Sequence, residues 1–385
     1  MRTHALLAPS SASRWLACTP SARLEEKFPD KAGQAAQEGT LAHALGELLI
    51  FRKQKIVSKA VFEKELKGIQ ENALYDAAML EYCEQYAVYI LEQYNAAKAH
   101  TKDAQIFLEQ KLDMTDYVPE GYGTGDVVII ADGVMDMIDL KYGKGVPVSA
   151  VENRQMMLYA LGALREFDFL YDIQTVRMTI YQPRLDTISV WEISVNELRQ
   201  WAEVELKPRA AMAFEGKGEY AHGTHCRFCK AKAVCKANAD KNLEIAQYEF
   251  KDNALLSDED ITDILNRAEQ FSQWLSGVQE HAFNEALNGK KWPGWKLVEG
   301  RSNRRYADQS AVADKLIKEG FKEETIYKPK ELLTITAMEK AITKKVFDAT
   351  LSDLIIKPPG KPALVPESDK RPELNSVASA IEDFS

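Results

Sequence analysis

The stretch GTGDVVIIADGVMDMIDLKYG, residues 123–143, breaks into two runs of strand length and composition, GTGDVVIIADG and VMDMIDLKYG, set apart by glycine and charged turn residues. Asp139 and Lys141 stand two apart on the second run, so their side chains share one face of a strand while Leu140 points the other way, into a core. If Asp126 lies on a neighbouring antiparallel strand, two carboxylates converge beside one ammonium. Oxygen ligands of that kind suit Mg²⁺ or Mn²⁺, which polarise a phosphodiester and acidify water, and a lysine beside them orients that water or offsets developing phosphate charge. Taken alone, Asp139 and Lys141 are an ordinary surface pair and Asp126 and Asp136 ordinary turn residues; the rest of the chain decides between these readings.

Working outward, AQIFLEQKLDM (residues 104–114) is a third strand, and its Glu109 is a candidate accessory acid, with Glu120 a weaker one. Upstream lie a short helix near Trp15 and Leu16, a helix opening at Thr40 with Leu41, Leu45, Leu48 and Leu49 at helical spacing and His43 in its first turns, and a long helix over residues 70–98 with Leu74, Ala78, Tyr82, Tyr86, Tyr89 and Ile90 as its apolar face. Downstream, VENRQMMLYALGALREF (151–167) returns to helix and stacks Gln155 and Tyr159 on one face. Two more strands, TVRMTIYQPR and TISVWEIS, precede a helix near 195–214. This order describes a mixed central sheet flanked by helices, an α/β fold.

At 385 residues, 45% hydrophobic and 28% charged, the chain has ordinary globular composition. Its length suits one large core, residues 1–245, and a mainly helical accessory region, residues 255–355, since single cores rarely exceed ~250 residues. The proline- and charge-rich residues 356–385 read as a disordered tail. No apolar run approaches the ~20 residues of a membrane span and the start has no signal-peptide pattern, so a cytoplasmic protein is expected. The formal net charge of -9 argues against nonspecific coating of nucleic acid, though not against a local basic channel. Residues 290–305 supply a candidate DNA track in Lys290, Lys291, Trp292, Trp295, Lys296, Arg301, Arg304 and Arg305, basic groups for phosphates and indoles for stacking on unpaired bases. The bland alternative is a solvated loop anchored by a tryptophan. No phosphate-binding G-x4-GK[ST] loop is present, so no ATPase motor is evident.

Five cysteines remain. Cys226, Cys229 and Cys235, in HGTHCRFCKAKAVC, have the spacing C-x2-C-x5-C, and the remote Cys18 can complete a four-thiolate site for zinc or an iron-sulfur cluster. His222 and His225 next to Cys226 favour the zinc option. Cys83 reads as a small core side chain.

The motif order from about residue 12 to about residue 240 resembles the PD-(D/E)xK nuclease superfamily, in its RecB-like branch, and an uncharacterised phage and prophage family of such nucleases. The resemblance implies a restriction-endonuclease-like core in which His43, Asp126, Asp139 and the backbone carbonyl of Leu140 hold Mg²⁺ or Mn²⁺ and Lys141 is the catalytic lysine. Gln155 and Tyr159 become the helix pair that contacts DNA or orders Lys141. Cys18, Cys226, Cys229 and Cys235 become the ligands of a [4Fe-4S] cluster, with structural zinc as the alternative.

The same resemblance implies a DNA exonuclease acting on ends in phage-type recombination inside a bacterial host, leaving a 5′-phosphate and a 3′-hydroxyl. Its partner would be a phage single-strand annealing protein; ring-shaped oligomers among distant relatives raise the expectation of a homo-oligomer. The competing reading is a noncatalytic DNA-binding recombination scaffold that keeps the nuclease fold. Two departures stand out: Asp139 replaces the glutamate many relatives carry, and the proline of the superfamily name is absent before Asp126.

Overall fold

The computed structural model describes residues 5–29, 33–245, 256–298 and 309–320 and the single positions 322, 335, 344, 347 and 350. The chain divides into two compact units, Met1–Asn284 and Glu285–Ser385.

The first unit is built on one five-stranded sheet of spatial order β1-β2-β3-β4-β5: β1 (Gln105–Asp113), β2 (Tyr122–Ala131), β3 (Val134–Leu140), β4 (Thr175–Gln182) and β5 (Thr187–Ser194). All neighbours are antiparallel except β3 and β4, which run parallel. The parallel pair needs a crossover, and α6 (Arg154–Tyr171) supplies it. The β2–β3 hairpin closes over Asp132 and Gly133, with Ala131 paired to Val134 and Gly133 at φ 75°, where only glycine is at ease.

Alternation along the central strands sends apolar side chains to both faces. Val128, Ile130, Met135 and Met137 pack with α6, with α1 (Ala12–Ala17), with Ala22 of α2 (Ser21–Glu25) and with the helical run that follows β5, α7 (Val195–Trp201) and α8 (Lys207–Glu215). Ile129, Ile138 and Leu140 pack instead under α3 (Gln34–Lys53) and α5 (Ala77–His100). Cys83 is fully buried in this second layer and its thiol donates to the carbonyl of Ala42, as a core residue should.

Two helix expectations change: the helix expected to open at Thr40 starts at Gln34, and the long helix expected from residue 70 starts at Ala77. Residues 59–70 form a separate helix, α4 (Lys59–Gln70), capped by Ser58; α5 begins only at Ala77, where the Asp76 side chain accepts from the Met79 amide. Leu74 therefore lies before α5, not on its apolar face. The cap was legible in the sequence as an aspartate ahead of an apolar-periodic run.

Beyond the cysteine-rich segment come α9 (Lys236–Leu243) and α10 (Asp258–Leu287). Ser257 and Asp260 exchange the two hydrogen bonds of a capping box at the start of α10. In the second unit α11 (Gln309–Lys318) is described. The expected tail, 356–385, lies outside the described residues. Among the described residues no helix is long and apolar enough to cross a membrane.

Candidate metal centre

The site begins with a fault in the sheet. Register between β1 and β2 is kept on both sides, Leu108 opposite Val127 and Gln110 opposite Gly125, but the rung between them, Glu109 and Asp126, is unpaired. Glu109 has φ 46°, a left-handed conformation rare for a residue inside a strand and costing about 1–3 kcal/mol. Facing changes at the same rung in both strands. Leu108 packs on the α3–α5 layer whereas Leu112 lies in the α6 layer, although strict alternation would put them on one face. Val127 belongs to the α3–α5 layer, yet a Cβ on Gly125 would meet Leu112 and Met137 of the α6 layer. The fault turns Glu109 and Asp126 together toward α3.

There they meet His43. Its Nδ1 lies 3.2 Å from Asp126 Oδ1, and one ligand atom from each of His43, Glu109 and Asp126 falls within 4.8 Å of the others. Glu47 and Tyr86 join these three around a small cavity that is partly open to solvent. Burial opposes a charge on His43, but the Asp126 carboxylate overcomes it and lifts the imidazole to about 9. Burial, with Asp126 nearby, pushes Glu109 up to about 7.

The second half of the site hangs on the fork where β2 and β3 part. Their pairing ends at Val127 and Ile138, so Asp126 and Asp139 flank the opening. Asp126 Oδ2 accepts a 2.7 Å hydrogen bond from the Leu140 amide, which ties the carboxylate to β3. Asp139 is 2% exposed, and Lys141 Nζ lies 2.9 Å from its Oδ2. Burial raises Asp139 while Lys141 opposes it; burial depresses Lys141, and Asp139 more than reverses this, keeping the ammonium charged.

Gln155 joins the two. Its Oε1 accepts from Lys141 Nζ at 3.0 Å, and its Nε2 donates to Asp139 Oδ1 at 3.3 Å and to Tyr159 Oη at 3.2 Å. The first turn of α6 fixes this amide, because the Asn153 side chain caps the amides of Gln155 and Met156. Gly123 makes room for Tyr159: a Cβ there would stand 2.8 Å from the ring.

The six residues singled out from sequence, His43, Asp126, Asp139, Lys141, Gln155 and Tyr159, thus fall into one connected neighbourhood. Leu140 contributes through its amide. Glu109 was underrated: a strand glutamate carries no sequence mark of the left-handed turn that aims it. Glu120 lies in the β1–β2 loop at φ 52°.

A family model described as "Protein of unknown function (DUF2800)" matches residues 4–372. The chain belongs to the DUF2800 family. A solved structure titled "Crystal structure of SSO0001" is similar to this DUF2800 chain at 14% identity, covering 59% of this chain and 97% of that one, with a TM-score of 0.22.

The cysteine expectation needs correction. In this DUF2800 chain Cys18, Cys226, Cys229 and Cys235 are free thiols bordering a small cavity. Their sulfurs do not gather: among the described residues, the metal-ligand group whose atoms lie within 4.8 Å of one another is His43, Glu109 and Asp126, not a set of thiols. The thiols find backbone partners instead. Cys18 Sγ accepts from the Ala221 amide, and Cys226 Sγ donates to the Ala221 carbonyl at 3.9 Å. Burial pushes Cys229 up to about 12, with the Glu25 carboxylate adding to the effect, which is the reverse of a thiolate. Neither the [4Fe-4S] cluster nor the structural zinc anticipated from the spacing is what this geometry builds. His222 and His225 turn elsewhere, to Gln270 and to the Ala221 carbonyl.

Of the basic segment, Lys290, Lys291, Trp292, Trp295 and Lys296 are described, all in the second unit. Lys290 sits over the Trp292 ring at 4.3 Å and pairs with Glu285 at 3.7 Å, while Trp295 is 83% exposed. Arg301, Arg304 and Arg305 lie outside the described residues.

Proposed function

We propose that this protein is a divalent-metal-dependent nuclease acting on DNA ends, and that its mixed sheet is a PD-(D/E)xK type core. One observation carries the reading: a nitrogen and two carboxylates, His43, Glu109 and Asp126, converge within ligand distance beside a buried Asp139 and a charged Lys141. The donor set fits a hard cation with one imidazole, and a buried polar atom at the site, Tyr86 Oη, has no bonding partner among the described residues. A cation bound there would supply Lewis acidity toward a phosphodiester and offset the carboxylates that now crowd each other.

The chain's own groups have separate tasks in this reading. His43, Glu109 and Asp126 hold the ion, and the Leu140 amide keeps Asp126 in place. Lys141, charged and anchored by Gln155, meets the negative charge that grows on the phosphate and orients the attacking water. Tyr159 holds Gln155. Water attack at phosphorus leaves a 5′-phosphate and a 3′-hydroxyl.

The test is a time course on end-labelled linear duplex and closed circular DNA with Mg²⁺ or Mn²⁺, alongside Lys141→Ala. Loss of the linear substrate alone, abolished by the substitution, supports an end-directed nuclease. If folded wild type and Lys141→Ala leave both substrates equally intact, the reading fails and a noncatalytic DNA-binding scaffold takes its place.

A further inference from the structure

We propose that the hydroxyl of Tyr86 is part of the cation site, an acceptor for a proton of water carried by the ion that His43, Glu109 and Asp126 hold. The inference rests on the metal reading above and adds to it a residue from a different helix, one that would reach the ion through a bound water and not as a ligand.

Tyr86 is a core residue of α5, 3% exposed, and its Oη has no hydrogen-bond partner among the described residues. A buried hydroxyl without a partner costs about 1–3 kcal/mol, so a phenylalanine would serve a purely apolar role better. Tyr86 borders the same small cavity as His43, Glu109 and Asp126. Hard cations such as Mg²⁺ keep several waters when they bind protein, and those polarised waters donate to acceptors around them.

The ring is held where it is. It packs on Tyr181 with centroids 5.4 Å apart, and on the other side it lies against Gly46 of α3, where a Cβ would come within 3.1 Å of the ring. A glycine inside a helix costs about 1 kcal/mol relative to alanine. Here its absent side chain is the seat of the phenol, three residues along α3 from His43. The helix that supplies the imidazole is therefore shaped to admit the tyrosine. Burial first, then the carboxylates of Asp126, Asp139 and Glu109, raise the phenol well above its usual value and keep its proton on.

Full-length wild type, Tyr86→Phe and Asp126→Asn should be melted in EDTA and in Mn²⁺, and titrated with Mn²⁺ calorimetrically. In EDTA, Tyr86→Phe is expected to melt at or above wild type, because an unpaired buried hydroxyl has been removed. Its Mn²⁺ affinity is expected to fall roughly tenfold, the order of one hydrogen bond to a charged assembly. Equal Mn²⁺ affinity in wild type and Tyr86→Phe would overturn the inference and leave the metal reading standing. A lower melting point in EDTA, or failure to fold, would also overturn it by showing that the hydroxyl serves the metal-free core. No Mn²⁺ binding by wild type, matching Asp126→Asn, would overturn the metal reading and this inference with it.

Discussion

Glu109 and Asp126 share the one rung at which both β1 and β2 change the face they present, and the backbone of Glu109 enters the left-handed region to allow it. The two carboxylates owe their meeting with His43 to that rung.

Glu109→Gly separates strain from ligation. At pH 8 the metal-free variant should be more stable by about 1 kcal/mol, since glycine adopts φ 46° freely and a half-buried acid has gone, while glycine's greater unfolded freedom offsets part of the gain. Mn²⁺ should stabilise it less than wild type. Chemical denaturation with and without Mn²⁺ reads both effects; a variant that is less stable in EDTA would show that the left-handed turn is not strained.

Metal should act as a ligand of the folded state. A hundredfold excess over Kd raises wild-type stability by about 2.7 kcal/mol. The same addition should do little for His43→Ala or Asp126→Asn, and chelation should stop DNA cleavage in wild type. Thermal shifts across a Mn²⁺ series check this, and an undiminished shift in both variants places the ion elsewhere.

Gln155→Ala should lower kcat roughly tenfold with KM nearly unchanged. The amide touches Lys141 and Asp139, so its loss frees the ammonium to wander without removing it. Steady-state kinetics on linear duplex separates the two constants; a change confined to KM would make Gln155 a DNA contact.

Asp136 gives a pH dependence outside the site. Burial lifts it from 3.8 to about 6, with Arg177 opposing from 3.3 Å. The folded state thus prefers the protonated acid: the stability it confers is full below about pH 4 and is lost as pH rises through 6. Asp136→Asn mimics the protonated form. It should leave stability unchanged near pH 4 and raise it at pH 8 by something on the order of 1–3 kcal/mol. Urea melts at the two pH values decide, and equal effects at both would remove burial as the cause.

Much of this was legible in the chain. Alternation fixed β2 and β3, the spacing of Asp139 and Lys141 put them on one face, and four-residue spacing stacked Gln155 over Tyr159. His43 was visible only as a polar residue in an apolar-periodic helix, and its meeting with Asp126 depends on how α3 crosses the sheet, which no local pattern encodes. Glu109 was hidden by a backbone turn that its residue type disfavours, and Tyr86 by a ring that reads as plain core. The cysteines misled because spacing records how far apart thiols are along the chain, while ligation depends on whether their sulfurs point at one centre.

The hairpin over Asp132 and Gly133 has a last consequence. Side-chain direction on a strand is a matter of odd and even, and β3 inherits its parity relative to β2 from a loop two residues long. If the turn kept its two residues, one residue added there would slide β3 by one against β2, leaving two good strands and an intact apolar count, yet exchanging the layers to which Asp139 and Lys141 belong. An insertion of two would restore them. Among natural or engineered length variants of this loop, the arithmetic parity of the insertion, more than its composition, should sort those that keep the Asp126, Asp139 and Lys141 neighbourhood from those that fold without it.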